Sequence, residues 1–310
     1  MILSIILLLA GLALVVAGSN FLVDGASSVA RKVGVSEFVI GLTIVGFGTS
    51  TPELVVSVTG ALSGSSAIAL GNVVGSNIFN VLLILGLTAL ISPVAVTRAN
   101  KTVDIPIMLG VTLLFCLIVL TGKLNRIDAA IMLLVFAAYL WYNFKTGKVD
   151  AEPETSEKTY GTFVSLLMVI GGLAGLVFGG KLFVNNAVDI AHRIGASEKF
   201  IAITILAVGT SLPELMTSIV AIAKKKSQLA LGNIVGSNVF NILLILGVSG
   251  MIHPLQTSSM NYVDLGVMMF SAVLLFVCAF ASRKGQLSKV SGTLMLLTEA
   301  AYMTYLFVNL

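Results

Sequence analysis

Long apolar stretches separated by short polar breaks set the pattern of this chain. A helix needs ~20 mostly apolar residues to cross a bilayer. Segmenting on that length gives ten candidates, at 2–19, 37–60, 68–91, 104–121, 127–144, 161–183, 198–222, 229–252, 263–281 and 288–308. In hydrocarbon every backbone polar group must be satisfied internally, which only helices and closed barrels achieve, and these runs exceed the ~10 residues of a barrel strand. The pattern therefore predicts an all-α membrane protein with ten transmembrane helices. The first run lacks the basic residues that precede the apolar core of a signal peptide, and it has a counterpart deep inside the chain, so it reads as a retained helix.

The breaks carry the orientation. With both the N- and C-termini outside, the inner loops hold Arg31, Lys32, Arg98, Lys101, Lys145, Lys148, Lys158, Lys224, Lys225, Lys226, Arg283, Lys284 and Lys289, and the outer loops only Lys123, Arg126, Lys181, Arg193 and Lys199. Cytoplasmic loops are enriched in Lys and Arg, so this arrangement is the expected one. The one hydrophilic linker, residues 145–160, falls on the cytoplasmic side and is too short for a domain.

The segment GTSTPEL at 48–54 returns as GTSLPEL at 209–215, and LGNVVGSNIFNVLLILG at 70–86 returns as LGNIVGSNVFNILLILG at 231–247. Both pairs are 161 residues apart, and the spacing holds without a gap from Gly18/Gly179 to Pro93/Pro254. Chance similarity between apolar helices would not keep polar residues in register. The division expected is a first five-helix repeat at 1–144, the linker, and a second repeat at 161–310. An odd number of helices inverts the second copy in the membrane, a design common in secondary transporters, whose pseudo-two-fold axis brings equivalent residues together near the midplane.

Composition agrees. Hydrophobic residues are 57% of the 310, and charged residues 10%, against roughly 25% charged in soluble domains. The exterior must face lipid. The net charge of +4 is small and scattered, which argues against nucleic acid as a partner. Cys116 and Cys278 sit in apolar runs and read as packing residues. No HExxH, GxSxG or Cys–His set suggests an enzyme, and no protein partner is implied.

Against that background, Glu53 and Glu214 stand out as acids inside apolar helices. A charge at mid-bilayer costs at least ~2.5–3.5 kcal/mol on insertion scales, and two carboxylates related by symmetry repel unless a cation or a proton lies between them. Each follows a proline, Pro52 or Pro213. Proline removes an amide and clashes with the carbonyl four residues back, so each helix should bend or unwind there and offer carbonyl oxygens. Thr49, Glu53 and Ser57 recur every four residues and share a face, as do Asn72, Ser76 and Asn80, and Asn233, Ser237 and Asn241. Ca²⁺ prefers six to eight such oxygens, and no His or Cys joins the set to favour zinc or copper. Asn77 and Asn238, one position off the face, fit either the site or interhelical hydrogen bonding. Gly71, Gly75, Gly232 and Gly236 suit close helix packing, and Gly171, Gly172, Gly175, Gly179 and Gly180 give the sixth helix a smooth face. Glu299, opposite Ala138 at the 161-residue spacing, reads as interfacial or hydrogen-bonded. Asp104, Asp128 and Asp264 lie at helix starts, where an acid suits the dipole. Lys224, Lys225 and Lys226 read as a topology anchor.

The paired GTS-x-PE and GN-x-VGSN-x-FN segments resemble the two alpha repeats of the calcium/cation antiporter superfamily, and look most like its prokaryotic sodium/calcium exchanger branch. The resemblance covers essentially the whole chain. It implies exchange of Ca²⁺ for Na⁺ by alternating access at the cell membrane, with no cofactor besides the transported ions. It also implies ion sites between helices 2, 3, 7 and 8, with helices 1 and 6 sliding past them. Carried over by position, Glu53 and Glu214 would be shared Ca²⁺ and Na⁺ ligands, and Thr49 and Thr210 would add oxygens for calcium. Ser50, Ser76, Ser211 and Ser237 would line sodium sites, Gly46 and Ala207 would give carbonyls, and Asn80 and Asn241 would complete the centre. Two positions depart from the pattern. Thr51 stands where the motif usually has Leu, as at Leu212, and Asn241 stands where some relatives, including potassium-dependent exchangers, carry an acid. The alternatives are a Ca²⁺/H⁺ antiporter on the same scaffold and, from another class, a channel.

Overall fold

The computed structural model describes residues 1–147, 160–194, 207–258, 260–282 and 284–309. In chain order the helices are α1 (Ile2–Val33), α2 (Glu37–Thr49 and Thr51–Leu62), α3 (Ser66–Ile91), α4 (Asn100–Leu120) and α5 (Arg126–Thr146). The second half follows with α6 (Thr162–Arg193), α7 (Ala207–Thr210 and Leu212–Ala223), α8 (Ser227–Ile252), α9 (Tyr262–Ala281) and α10 (Lys289–Asn309). Seven of these are long and apolar enough to cross a membrane, or eight counting α2 as one bent span. Of α7, the stretch 198–206 expected to be apolar lies outside the described residues, as do most of the expected linker (148–159), Lys199 and Arg283.

Both halves of α2 are helical but meet at 49°, with Ser50 at the joint (φ −81°, ψ 8°). The matching joint in α7 is Ser211 (φ −89°, ψ 6°). In each case proline occupies the first turn after the joint, where its missing amide is least costly. The helix therefore bends without unwinding: Ser50 still donates its amide to the Gly46 carbonyl at 3.1 Å. The first half of α2 and the middle of α3 and of α8 each widen into a π-helical turn, Gly41–Val45, Asn80–Leu85 and Asn241–Leu246, the last two opening on an asparagine. Such turns rotate the side chains around them and are common at functional sites.

The two central helices are α3 and α8, whose most apolar windows are 72% and 94% buried inside the bundle, against 28% for α1 and α5. Gly232 and Gly236 of α8 permit this. A Cβ at either would come within 2.4 Å or less of a carbonyl oxygen of α2, Phe38 or Leu42. Their counterparts Gly71 and Gly75 have nothing within 4 Å among the described residues and line a cavity; the stretch of α7 that the 161-residue spacing sets against them, around 199–203, lies outside the described residues. Along α1 and α6 the seam is continuous. A Cβ on Gly18 would sit 2.8 Å from the Gly172 carbonyl, and one on Gly179 2.9 Å from that of Gly11. Gly171 and Gly180 lie off this seam.

Among the described residues, four two-residue strands tie the halves together: β1 (Val94–Ala95), β2 (Lys123–Leu124), β3 (Leu255–Gln256) and β4 (Gln286–Leu287). β1 pairs antiparallel with β4, and β2 with β3. β1 and β3 keep the 161-residue spacing, whereas β2 and β4 are 163 apart, as are the starts of α5 and α10. The repeat therefore gains two residues beyond Pro93/Pro254, and Glu299 corresponds to Phe136 rather than Ala138.

Two further expectations change. Apolarity placed the ends of α1 and α6 near 19 and 183, but both helices run to 32 residues, because polar side chains do not stop a helix. α1 ends only where Gly34 adopts φ 71°, a left-handed stop that glycine accepts without strain. Asp104 is not at a helix start. It lies within the π-helical turn Asn100–Asp104, is buried, and accepts from Asn100 Nδ2 at 3.1 Å. Two of the lysines after α7, read as a topology anchor, also make ion pairs: Lys224 reaches Asp24 at 2.7 Å and Lys226 reaches Glu37 at 3.1 Å.

Gly172→Ala should lower the thermal midpoint in detergent, since its Cβ would fall 2.6 Å from the Leu22 amide nitrogen and overpacking against backbone costs roughly 1–3 kcal/mol. Gly171→Ala, with nothing within 4 Å, should leave the midpoint unchanged or raise it slightly.

Candidate functional site

Glu53 and Glu214 follow the two bends, and each is 1% exposed. The halves exchange their hydroxyl groups around them. Ser50, at the joint of α2, donates to Glu214 Oε1 at 2.9 Å. Ser211, at the joint of α7, donates to Glu53 Oε1 at 3.2 Å. Ser76 of α3 also reaches Glu53 Oε1, at 3.4 Å, and lies 3.4 Å from the Ser211 hydroxyl. One oxygen of each carboxylate is thus held by the opposite copy, and Oε2 of both is buried without a partner among the described residues.

The central helices brace this pair. Asn72 Nδ2 donates to the Glu53 carbonyl (3.1 Å) and the Ser57 hydroxyl (2.9 Å), and Asn233 Nδ2 repeats this with the Glu214 carbonyl (3.4 Å) and Ser218 (3.0 Å). These amides hold the backbone just after each bend. Asn233 Oδ1 in turn accepts from the Thr49 hydroxyl at 3.1 Å.

Asn77 and Asn238 settle between their two readings. Each donates Nδ2 to the other's backbone carbonyl, at 3.3 and 3.5 Å, which clips α3 to α8 across the pseudo-two-fold. Their side-chain oxygens then accept from the site asparagines: Asn80 Nδ2 from α3 to Asn238 Oδ1 at 3.2 Å, and Asn241 Nδ2 from α8 to Asn77 Oδ1 at 2.9 Å. With the donor end of each amide occupied, Asn80 and Asn241 keep a buried, unpartnered Oδ1. The interhelical reading of these two residues holds, and their aiming of Asn80 and Asn241 adds to it. The signal was present as an invariant Gly-Ser-Asn-x-x-Asn in both copies, but which asparagine faces the site depends on the π-helical turn that follows.

Four buried acceptors, two carboxylate and two amide, are therefore left open in symmetry-related pairs. Burying even a neutral acceptor unpaired costs about 1–3 kcal/mol, and charged ones more. An acceptor-only set of this kind suits a hard cation. No group of three or more His, Cys, Asp or Glu gathers among the described residues, so the fixed charge is that of the two glutamates. The structure places Thr49, Ser50, Ser76, Ser211 and Ser237 in the same buried zone, Ser237 with its hydroxyl unpartnered. Thr210 is half-buried and borders the cavity described below. The Gly46 carbonyl is engaged within α2 by Ser50 N–H and, at 3.4 Å, by the Thr49 hydroxyl. Ala207 opens the short first segment of α7, and its side chain lies outside the description. Glu299 is not hydrogen-bonded: it is 3% exposed with both carboxylate oxygens unpartnered among the described residues.

The family model described as sodium/calcium exchanger protein matches residues 3–145 and 164–308. The chain is 36% identical to the putative antiporter CaxA of Alkalimonas amylolytica over 99% of both chains. It is 33% identical to the sodium/calcium exchanger MaX1 of Methanosarcina acetivorans over 97% of this chain and 98% of that one. Among solved structures, the sodium-calcium exchanger NCX_Mj soaked with 2.5 mM Na⁺ and 0.1 mM Ca²⁺ superposes with a TM-score of 0.86, at 32% identity over 98% of each chain.

Removing the brace tests the geometry. Asn77→Ala or Asn238→Ala leaves the carboxylates in place but removes the amide oxygen that aims Asn241 or Asn80. Divalent-cation affinity, read by titration calorimetry on purified protein, should fall by about 10- to 100-fold, the usual cost of losing a group that orients a ligand.

Proposed function

Since the chain belongs to the sodium/calcium exchanger protein family, a family of membrane antiporters, we propose that it moves Ca²⁺ across the cell membrane in exchange for Na⁺. The ions bind between α2, α3, α7 and α8, at Glu53 and Glu214. Ten spans arranged as two inverted five-helix units, with both termini outside, carry the site at the midplane. The observation that supports this best is the pair of carboxylates, each hydrogen-bonded through Oε1 to a serine at the bend of the other copy and each with Oε2 left open.

The mechanism is competition for one charge-balanced site. Two carboxylates neutralise one Ca²⁺ or two Na⁺, and any further Na⁺ needs neutral oxygens, which Ser76, Ser237, Asn80 and Asn241 supply. Calcium draws both glutamates and the amide oxygens of Asn80 and Asn241 toward one centre. Sodium ions, smaller in charge, occupy positions to either side, where Ser50, Ser211, Ser76 and Ser237 lie. The empty site leaves uncompensated charge at mid-membrane. That opposes the conformational step and prevents a leak. Ligand binding can shift the two access states only by its differential affinity for them, so loading by either ion set, and not by neither, permits the change. The glycine seam holds α1 and α6 in close backbone contact, so that the pair can shift against the core as one body.

In proteoliposomes, ⁴⁵Ca²⁺ uptake should follow an outward Na⁺ gradient, persist with a protonophore, and fall to background in Glu53→Gln and Glu214→Gln proteins that still purify as folded monodisperse species. Uptake driven only by an outward H⁺ gradient would contradict sodium coupling, and exchange retained in either variant would contradict the site.

A further inference from the structure

The two halves differ where α10 meets the core. The segment Leu133–Tyr139, LLVFAAY, aligns with 296–302, LLTEAAY, which sets Phe136 against Glu299 and Tyr139 against Tyr302. In the first copy the aromatic ring is used for packing: Phe136 meets Phe240 of α8 edge-on, with centroids 4.7 Å apart. In the second copy the ring is absent, and a cavity of about 690 Å³ takes its place beside Phe79, the counterpart of Phe240.

Glu299 lines that cavity, 3% exposed, with neither carboxylate oxygen partnered. Tyr302, three residues on and so on the same helix face, lines it too and donates its hydroxyl to Asp264 Oδ1 at 2.9 Å. Asp264, in the first turn of α9, also borders the cavity. On the opposite wall are Ser76 and Thr210, so the same space reaches the edge of the Glu53/Glu214 site. Lys181 of α6 lies along the wall as well, but it is exposed and water and salt screen its charge.

We propose that Glu299, with the Asp264–Tyr302 pair, forms an accessory binding position for a hard metal cation on the route between water and the Glu53/Glu214 site. This rests on the reading of that site as one that takes Ca²⁺ and Na⁺. A carboxylate with no partner in an apolar helix is costly, and a passing cation removes that cost. Two carboxylates and a phenol supply fewer oxygens than the six to eight that Ca²⁺ prefers, so water completes the shell and the ion is held loosely enough to move on. The position exists on one side of the pseudo-two-fold only, because the first copy fills it with Phe136.

Terbium luminescence excited through tyrosine reads the position directly, since Tb³⁺ is a hard stand-in for Ca²⁺ and Tyr302 is adjacent. It requires no transport, so its failure is separable from failure of the exchange reading, which shows in Na⁺-driven uptake with Glu299 intact. In Glu53→Gln/Glu214→Gln protein a Ca²⁺-displaceable signal is expected, and it should disappear when Glu299→Gln is added. If that protein does not fold, Glu299→Phe, the side chain of the first copy, should remove the signal equally. In otherwise unaltered protein, Glu299→Gln should raise the half-saturating Ca²⁺ for uptake about fivefold, the scale of one partly hydrated ion pair, at an unchanged maximal rate. A terbium signal indifferent to residue 299 overturns the proposal, as does uptake whose half-saturation does not move.

Discussion

Two carboxylates held inside a hydrocarbon-thick bundle set the terms for the rest of this molecule. Neither can be solvated, and each is surrounded by groups from both halves of the chain. The bends at Ser50 and Ser211 bring a hydroxyl of one copy onto the glutamate of the other, so the pair cannot be built from a single repeat. The bracing amides of Asn72 and Asn233 then secure backbone carbonyls near the bends, and the Asn77–Asn238 clip holds α3 and α8 at a fixed register. Remove the glutamates and these polar groups have little reason to lie in the core of a lipid-facing protein.

The same constraint explains where the chain is tight and where it is open. α8 is sealed against the first half of α2 by glycines that permit backbone contact, whereas the equivalent glycines of α3 border a cavity. The stretch of α7 that would face Gly71 and Gly75 by the 161-residue spacing lies outside the described residues. The pairing of Glu299 with Phe136 is an asymmetry written into the sequence itself, and it sets a carboxylate beside a cavity where the other copy packs a ring.

Much of this was legible from residues. Apolar run length located the helices, and the repeat located Glu53 and Glu214. The four-residue spacing on α3 and α8 selected Ser76, Asn80, Ser237 and Asn241. Sequence failed where a decision depended on packing or on backbone irregularity. Apolarity could not find the ends of α1 and α6, because Asn20, Asp24, Asn185 and Asp189 continue a helix as well as Leu does, and α1 stops only at a left-handed glycine. The role of Asn77 and Asn238 required the cross-helix contact. The two-residue shift in the repeat between Pro93/Pro254 and β2/β4 hid the partner of Glu299, and a fixed spacing misassigned it.

The central claim is that sodium and calcium compete for one pair of carboxylates, and equilibrium competition tests it without transport. Calorimetric Ca²⁺ affinity measured over a range of Na⁺ concentrations gives, by linkage, the number of sodium ions displaced per calcium bound. The account predicts that the logarithm of the apparent Kd rises with the logarithm of Na⁺ concentration at a limiting slope of about two or more, because both carboxylates must give up their sodium. A calcium affinity indifferent to Na⁺, with the ionic strength held constant by a large inert cation, would contradict it.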